Sequence, residues 1–244
     1  MNRPATIAII PAFNEAGSIC GVVTETLKHV DEVLVIDDGS NDKTAEEARR
    51  GGAKVIVHAT NQGIGSSLRT GYAYCAQCKC DLVVQLDADG QHDPRFISSM
   101  IRHLIEGGYD VVTGSRFLNK EMSEYPLIRR TGIRLFSSLA GILSASRITD
   151  ITSGFRVYRQ PILRSIAEVK DRHWAVDQTL RSFKLGLRYS EFPVVMPLRR
   201  TGRSQFDPST LLFYPLRMSR VLLRVVAERN KKHKPRSKRG FVET

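Results

Sequence analysis

The chain lacks any uncharged apolar run approaching the roughly 18 residues that a membrane span requires. Leu211 to Val226 comes nearest, and Arg217, Arg220 and Arg224 interrupt it. No leader is expected either: in MNRPATIAIIPAFNEAG the apolar run is short and an acid follows it. Cysteine is scarce, with four residues, three of them in CAQCKC at Cys75, Cys78 and Cys80. A tetrahedral zinc site wants a second pair of ligands, and only Cys20 stands elsewhere. The trio therefore reads as small apolar filler at a helix end. Free thiols without an export signal point to the cytosol. Acids are few beside bases, 25 against 37, leaving a net charge of +12. That balance points to anionic partners: nucleic acid, an anionic membrane surface or a phosphorylated substrate. No basic motif is interleaved with aromatics, so nucleic acid is not expected.

What is present is an apolar content of 41% over 244 residues, enough for one sizeable α/β domain and a tail. TIAIIPA, EVLVIDDGS, AKVIVHA, DLVVQLDAD and YDVVTGSR read as five buried strands, and helical patterns separate them. Ser18 is a candidate cap for the first helix, and a glycine pair closes the second. Continuous apolar strands alternating with helices predict a mostly parallel sheet covered on both faces. Beyond Arg116 the pattern predicts a helix over YPLIRRTGIRLFSSLAGILSAS, a strand in TSGFRVYR, a helix in VDQTLRSFKLGL and a strand in RYSEFPVVM. The expected organisation is a catalytic domain over 1–208, an amphipathic helix over 209–228 and a basic tail over 229–244. The helix either lies in a membrane interface or packs on the domain.

Ligands of such sheets sit outside the carboxyl ends of the strands, and this chain keeps its polar residues there. Asp87-Ala88-Asp89 closes the fourth strand. In an extended strand the two carboxylates point to one side, where their repulsion calls for a cation. Hard oxygen donors suit Mg²⁺ or Mn²⁺, completed by water and phosphate oxygens. Gln91 and His92 are placed to add a ligand or a hydrogen bond, and Gly90 permits close approach. Asp37-Asp38-Gly39-Ser40 supplies a second acidic turn suited to a ribose or base. Pro11 to Glu15 precedes a helix whose first N–H groups could meet a nucleotide, and Asn61 to Gly65 has the glycines of a close-approach loop.

Together IIPAFNEAGSI, VIDDGSNDKT, NQGIGSSLRTG, QLDADGQHDP, TGSRF and DITSGFRVYR resemble the family 2 glycosyltransferases, in family order from about Ile7 to Gln205. The resemblance is greatest to the polyprenyl-phosphate branch typified by dolichyl-phosphate mannosyltransferase. It implies the GT-A fold, a Rossmann-like nucleotide-diphospho-sugar transferase architecture. It also implies inverting transfer from a nucleotide-diphosphate sugar to a polyprenyl or dolichyl phosphate. Pro11, Phe13, Asn14, Glu15, Asp38, Asp87 and Ala88 would line the nucleotide-sugar pocket, and Asp87, Asp89 and Gln91 would face the metal. Asp89, Arg116, Asp150 and Asp177 would stand at the transfer site. Asp150, Ser153, Gly154, Phe155 and Arg156 match its D-x-x-S-G-F-R segment.

A phosphate acceptor is already an anionic nucleophile, so it needs holding in line more than it needs a base. Arginines do this best, and Arg129, Arg156 and Arg200 are the candidates. Ile133 stands where the mannosyltransferases carry a serine, and Gln205 where they carry a lysine. The donor therefore stays open between GDP-mannose, a UDP-hexose and a UDP-N-acetylhexosamine. The alternative is a soluble hydroxyl acceptor, with Asp150 or Asp177 as base. An anionic membrane or a membrane-anchored partner subunit would take the place of the helices that many relatives carry, putting the enzyme peripherally on the cytosolic membrane face.

Overall fold

The computed structural model describes residues 3–118, 127–144, 147–167 and 174–197, with backbone alone at 127–130 and 143–144. The first half alternates as the apolar pattern predicts: β1 (Thr6–Ala12), α1 (Ile19–Leu27), β2 (Glu32–Asp37), α2 (Thr44–Arg50), β3 (Lys54–Val57), α3 (Ile64–Cys75), β4 (Leu82–Gln85), α4 (Ile97–Glu106) and β5 (Val111–Ser115). The second half adds α5 (Leu127–Ser144), β6 (Arg156–Arg159), α6 (Leu163–Ile166), α7 (Trp174–Lys184) and β7 (Tyr189–Pro193).

One sheet takes all of these strands in the order β3-β2-β1-β4-β6-β5-β7. Its pairs are parallel except those of β6, which runs against both β4 and β5. That reversal positions the site. It sets the start of β6 beside the end of β4, with Gln85 opposite Arg156. The loop entering β6 thereby reaches the edge where the parallel strands deliver their own loops.

The strand alternation of period two builds two apolar layers. Ile7 and Ile9 of β1 join Leu68 and Tyr72 of α3 and Trp174 of α7 on one face. Ala8, Ile10 and Ala12 join Val22 and Val23 of α1 and Met100 and Leu104 of α4 on the other. Both faces being covered explains why these strands read as unbroken apolar runs. Each fully buried Ile or Leu contributes about 1.5–3 kcal/mol to holding a layer on the sheet. A smaller cluster joins Phe136 and Ala140 of α5 to Ile148, Ile151, Val176 and Leu180.

Two local expectations are corrected. β4 stops at Gln85, because its pairing with β1 and β6 ends there, so Asp87 and Asp89 lie in the following turn. Ser18 stands before α1, but its hydroxyl donates to Glu15 and caps no helix N–H. The cysteines are all free, with Cys75 buried at the end of α3. Burial pushes the Cys80 thiol up to about 11 and Cys75 higher still, as befits apolar filler.

Candidate active site

Three loops are tied together at the carboxyl ends of β1, β2 and β3. Asn14 N–H donates to Ser40 Oγ at 2.9 Å, Glu15 N–H to Thr44 Oγ1 at 2.8 Å and Ala16 N–H to Asp42 Oδ2 at 3.2 Å. Asn41 N–H returns to Asn14 Oδ1 at 2.9 Å. Asn14 holds a φ of +56°, a left-handed conformation that Asn tolerates better than most residues. Asp38 is buried and binds the third loop: its carboxylate accepts from His58 Nδ1 at 2.7 Å and from Gly63 N–H at 2.7 Å, with Gln62 N–H also in range. Gly39 passes so close that a Cβ would sit 2.7 Å from the backbone carbon of Thr60. Pro11 is buried at the end of β1, while Phe13 is exposed at the mouth.

The acidic turn follows β4. Asp87 and Asp89 are half-exposed and Ala88 between them is buried. Asp89 Oδ1 accepts Gln91 N–H at 3.0 Å, and Gly90 turns the chain with a φ of +76°. Gln91 Nε2 donates to Pro197 O at 2.9 Å, which engages the amide nitrogen; of the two amide atoms only the oxygen could serve as a ligand. His92 is buried and stacks on Phe155 at 5.2 Å. Its Nδ1 accepts Asp87 N–H at 2.9 Å, so it contributes the hydrogen bond and not the ligand of the two roles open to it. Burial lowers its pKa to about 4, which keeps the ring neutral.

Among the described residues no three His, Cys, Asp or Glu side chains gather as a metal cage. Two carboxylates and an amide oxygen are nevertheless a fitting set for a hard cation. Mg²⁺ is commonly held by one or two carboxylates, with waters and substrate phosphates supplying the rest.

Opposite the acidic turn lies the loop before β6. Gln85 Nε2 donates to Gly154 O at 3.0 Å, joining the end of β4 to that loop. Asp150 is fully buried and takes Arg116 in a bidentate pair, Nε to Oδ2 at 2.6 Å and Nη2 to Oδ1 at 2.8 Å. Burial alone would raise the Asp150 carboxyl; the Arg116 guanidinium overrides this and holds it below the ordinary carboxylate range. Behind the loop, Glu191 of β7 accepts from Thr149 N–H, Thr149 Oγ1 at 2.6 Å and Asp150 N–H at 3.0 Å. Burial lifts the Glu191 carboxyl above its usual range despite these donors.

Residues 7–167 match the model of the family described as Glycosyl transferase family 2. The chain belongs to that family. A further likeness is to the undecaprenyl-phosphate mannosyltransferase of Micrococcus luteus, 31% identical over 82% of this chain and 87% of that one. The dolichyl-phosphate hexose transferase of Haloferax volcanii is 31% identical over 82% and 86%. The UDP-N-acetylglucosamine–dolichyl-phosphate N-acetylglucosaminyltransferase of Methanococcus voltae is 33% identical over 66% and 71%. Among solved structures, glucosyl-3-phosphoglycerate synthase of Mycobacterium tuberculosis, in complex with Mn²⁺, UDP and glucosyl-3-phosphoglycerate, superposes with a TM-score of 0.70. It is 21% identical, over 95% of this chain and 82% of that one, and the likeness is one of fold: the sheet is that of the GT-A glycosyltransferases.

This family 2 glycosyltransferase gathers most of the residues singled out in its sequence at one sheet edge, with one correction. Arg156 is not presented to an acceptor phosphate. It is fully buried, with Nε donating to Ser153 O at 3.0 Å and Nη2 to Ala175 O at 2.7 Å and Thr179 Oγ1 at 2.8 Å. Its guanidinium, 5.6 Å from the Trp174 ring, pins α7 to the loop. Asp177, buried in the first turn of α7, pairs with Arg181 at 3.0 Å. Arg129 lies in α5 with its side chain outside the described residues, and Arg200 with the segments 209–228 and 229–244 lies outside them altogether. Sequence reasoning passed over Glu191 and His58. Each is a lone titratable residue in a strand or at its end, and only the fold shows which loop it holds.

Proposed function

We propose that this glycosyltransferase is metal-dependent and moves a sugar, with inversion, from a nucleotide-diphosphate sugar to a polyprenyl or dolichyl phosphate. The observation that carries the site is the antiparallel register of β4 and β6, which brings the Asp87–Asp89 turn and the Asp150–Phe155 loop together. The acceptor class is supported by the names of the relatives, three of which act on undecaprenyl or dolichyl phosphate.

In this reading the nucleoside lies against the wall formed by Pro11 to Glu15 and the Asp38-bound loop, with Phe13 at the mouth. Asp87, Asp89 and Gln91 hold Mg²⁺ or Mn²⁺, which when bound neutralises charge on the departing diphosphate. An acceptor phosphate oxygen forms the bond to the anomeric carbon as the carbon–oxygen bond to the donor diphosphate breaks. The nucleoside diphosphate leaves with that electron pair, and no proton has to be removed. Arg129 and Arg200 are assigned to the acceptor phosphate, and Arg116, steadied by Asp150, to the donor side. Asp177 flanks the acceptor.

A soluble hydroxyl acceptor would need a carboxylate base, and both candidates are ill-suited to it. Asp150 is fully buried, ion-paired and held below the ordinary range, and Asp177 is paired to Arg181. Segment 209–228 is assigned to the membrane interface and the basic tail 229–244 to anionic lipid, alone or beside a membrane-anchored partner. Among the described residues no helix is long and apolar enough to cross a membrane.

The test is transfer from radiolabelled GDP-mannose, UDP-glucose and UDP-N-acetylglucosamine to a short-chain polyprenyl phosphate, read as label entering organic solvent. We expect metal-dependent transfer with at least one donor, abolished by Asp89→Ala with thermal unfolding unchanged. Transfer to hydroxyl acceptors alone would refute the reading, as would full activity in Asp89→Ala.

A further inference from the structure

Four buried polar side chains cross the apolar layer between the sheet and helices α3 and α7, and a single chain of hydrogen bonds uses them all. Gln85 ends β4, Tyr72 lies in α3, Gln178 in α7 and Tyr158 in β6, and each is 1% exposed or less. Gln85 Nε2 donates to Gly154 O at 3.0 Å, and its Oε1 accepts the Tyr72 hydroxyl. Gln178 Nε2 donates to Tyr72 Oη at 2.6 Å, and Gln178 Oε1 accepts the Tyr158 hydroxyl at 2.8 Å.

The polarity of this chain follows from its last link. A carbonyl has no hydrogen to give, so Gly154 O requires the nitrogen of the Gln85 amide. Oε1 is left for Tyr72, which must donate to it. Tyr72 must then accept from Gln178 Nε2, and Gln178 Oε1 from Tyr158. Burial raises both phenols above their ordinary range, so each keeps the proton it donates. Polar groups buried without partners are costly, whereas a fully paired network holds its members in one arrangement. Apolar side chains would fill the same layer without that demand. What the network adds is a fixed place for Gly154.

Gly154 is where the two sides of the site meet. A Cβ there would stand 3.2 Å from the His92 ring and 3.2 Å from the Trp174 ring. His92 holds the Asp87 N–H, and Gln85 lies two residues before Asp87. The Gly154 carbonyl is thereby tied to the strand end that carries the acidic turn.

We propose that Gln85, oriented by Tyr72 and Gln178, is a positioning residue that holds the Gly154 carbonyl and so sets the Asp150–Phe155 loop against the Asp87–Asp89 turn. The inference rests on the proposed function for the reaction it serves. A loop released from Gln85 would bring acceptor and donor together out of line, which costs rate and leaves donor affinity alone.

The test compares Gln85→Met and Tyr72→Phe with Leu104→Ala, a cavity variant at the far end of α4 in the other apolar layer. Turnover on a short-chain polyprenyl phosphate is measured below the unfolding transition, with nucleoside diphosphate affinity by calorimetry. We expect kcat to fall on the order of tenfold in Gln85→Met and Tyr72→Phe with affinity unchanged. The double variant should lose no more than Gln85→Met, because both act through one carbonyl. Leu104→Ala should unfold at lower temperature and keep the kcat of wild type. Wild-type kcat in both Gln85→Met and Tyr72→Phe would overturn the proposal, as would an equal loss in Leu104→Ala. If Gln85→Met does not fold, Tyr72→Phe carries the test with the same two outcomes. Amide hydrogen exchange needs no acceptor: faster exchange at 153–155 in Tyr72→Phe, with 61–65 at the wild-type rate, supports the positioning role, and unchanged exchange at 153–155 overturns it. A wild type that transfers to no prenyl phosphate, while its Tyr72→Phe variant shows that faster exchange, sinks the functional reading and leaves the positioning role standing.

Discussion

Asp150, Arg116 and Glu191 form a chain of support whose links differ in chemistry. Asp150 neutralises the buried Arg116, and Glu191 fixes the backbone that carries Asp150. Asp150→Asn should cost about 3–5 kcal/mol, because it leaves a buried guanidinium uncompensated. Its acid behaviour should change too. The Asp150 carboxyl lies below its ordinary 3.8 in the folded state, so its pairing stabilises above that pH and is lost as pH falls through the folded value. Urea unfolding of wild type and Asp150→Asn should therefore converge below pH 3.8. Glu191 acts oppositely: with its carboxyl raised from 4.5, ionisation costs folded-state stability as pH rises above that value. Glu191→Gln should still be net destabilising by about 1–3 kcal/mol, because its amide turns a donor towards three donors. It should lower kcat while leaving nucleoside diphosphate affinity, measured by calorimetry, unchanged. At this scale the sequence was legible where a motif fixed a residue's place along the chain, as for Asp87 and Asp89 beyond the carboxyl end of β4 and Asp150 ahead of β6. It misled for Arg156, since whether an arginine reaches solvent or pins a helix depends on α7, some twenty residues away.

Among the elements, the three loops after β1, β2 and β3 behave as one unit because hydrogen bonds run from loop to loop as well as within each. Gly39 is where they nearly touch, at a φ of +71°. Gly39→Ala should force the β2 loop off the β3 loop, costing more than about 1 kcal/mol in stability. It should also weaken nucleoside diphosphate binding, whereas Gly17→Ala, with open space for its Cβ, should leave binding unaltered. Equal binding in both variants would show that the loops do not shape the pocket. The strands were legible because both faces of the sheet are buried, which turns each into a continuous apolar run. The direction of β6 was not. Four residues, Arg156–Arg159, carry no signal that separates parallel from antiparallel pairing, yet that direction assembles the site. The extent of β4 was misjudged for a related reason: apolar Leu86 continues the pattern after the pairing has ended.

The molecule as a whole is a basic chain with acids clustered after β4, and the proposed reaction gives both properties one origin. In it an anionic donor and an anionic acceptor meet, so cations would lie around them while carboxylates would hold the ion between. Which apolar side chains of α5 stay exposed was not legible in composition, because Leu135 and Phe136 look alike until the helix is packed. The claim on which the rest depends is that Asp87 and Asp89 grip a divalent cation against the donor diphosphate. Anomalous scattering from crystals grown with Mn²⁺ and a nucleoside diphosphate tests it most directly. The predicted result is a manganese peak between the two carboxylates and the diphosphate oxygens that vanishes in Asp89→Ala. A nucleotide bound with both carboxylates turned away, and no manganese beside them, would contradict the account.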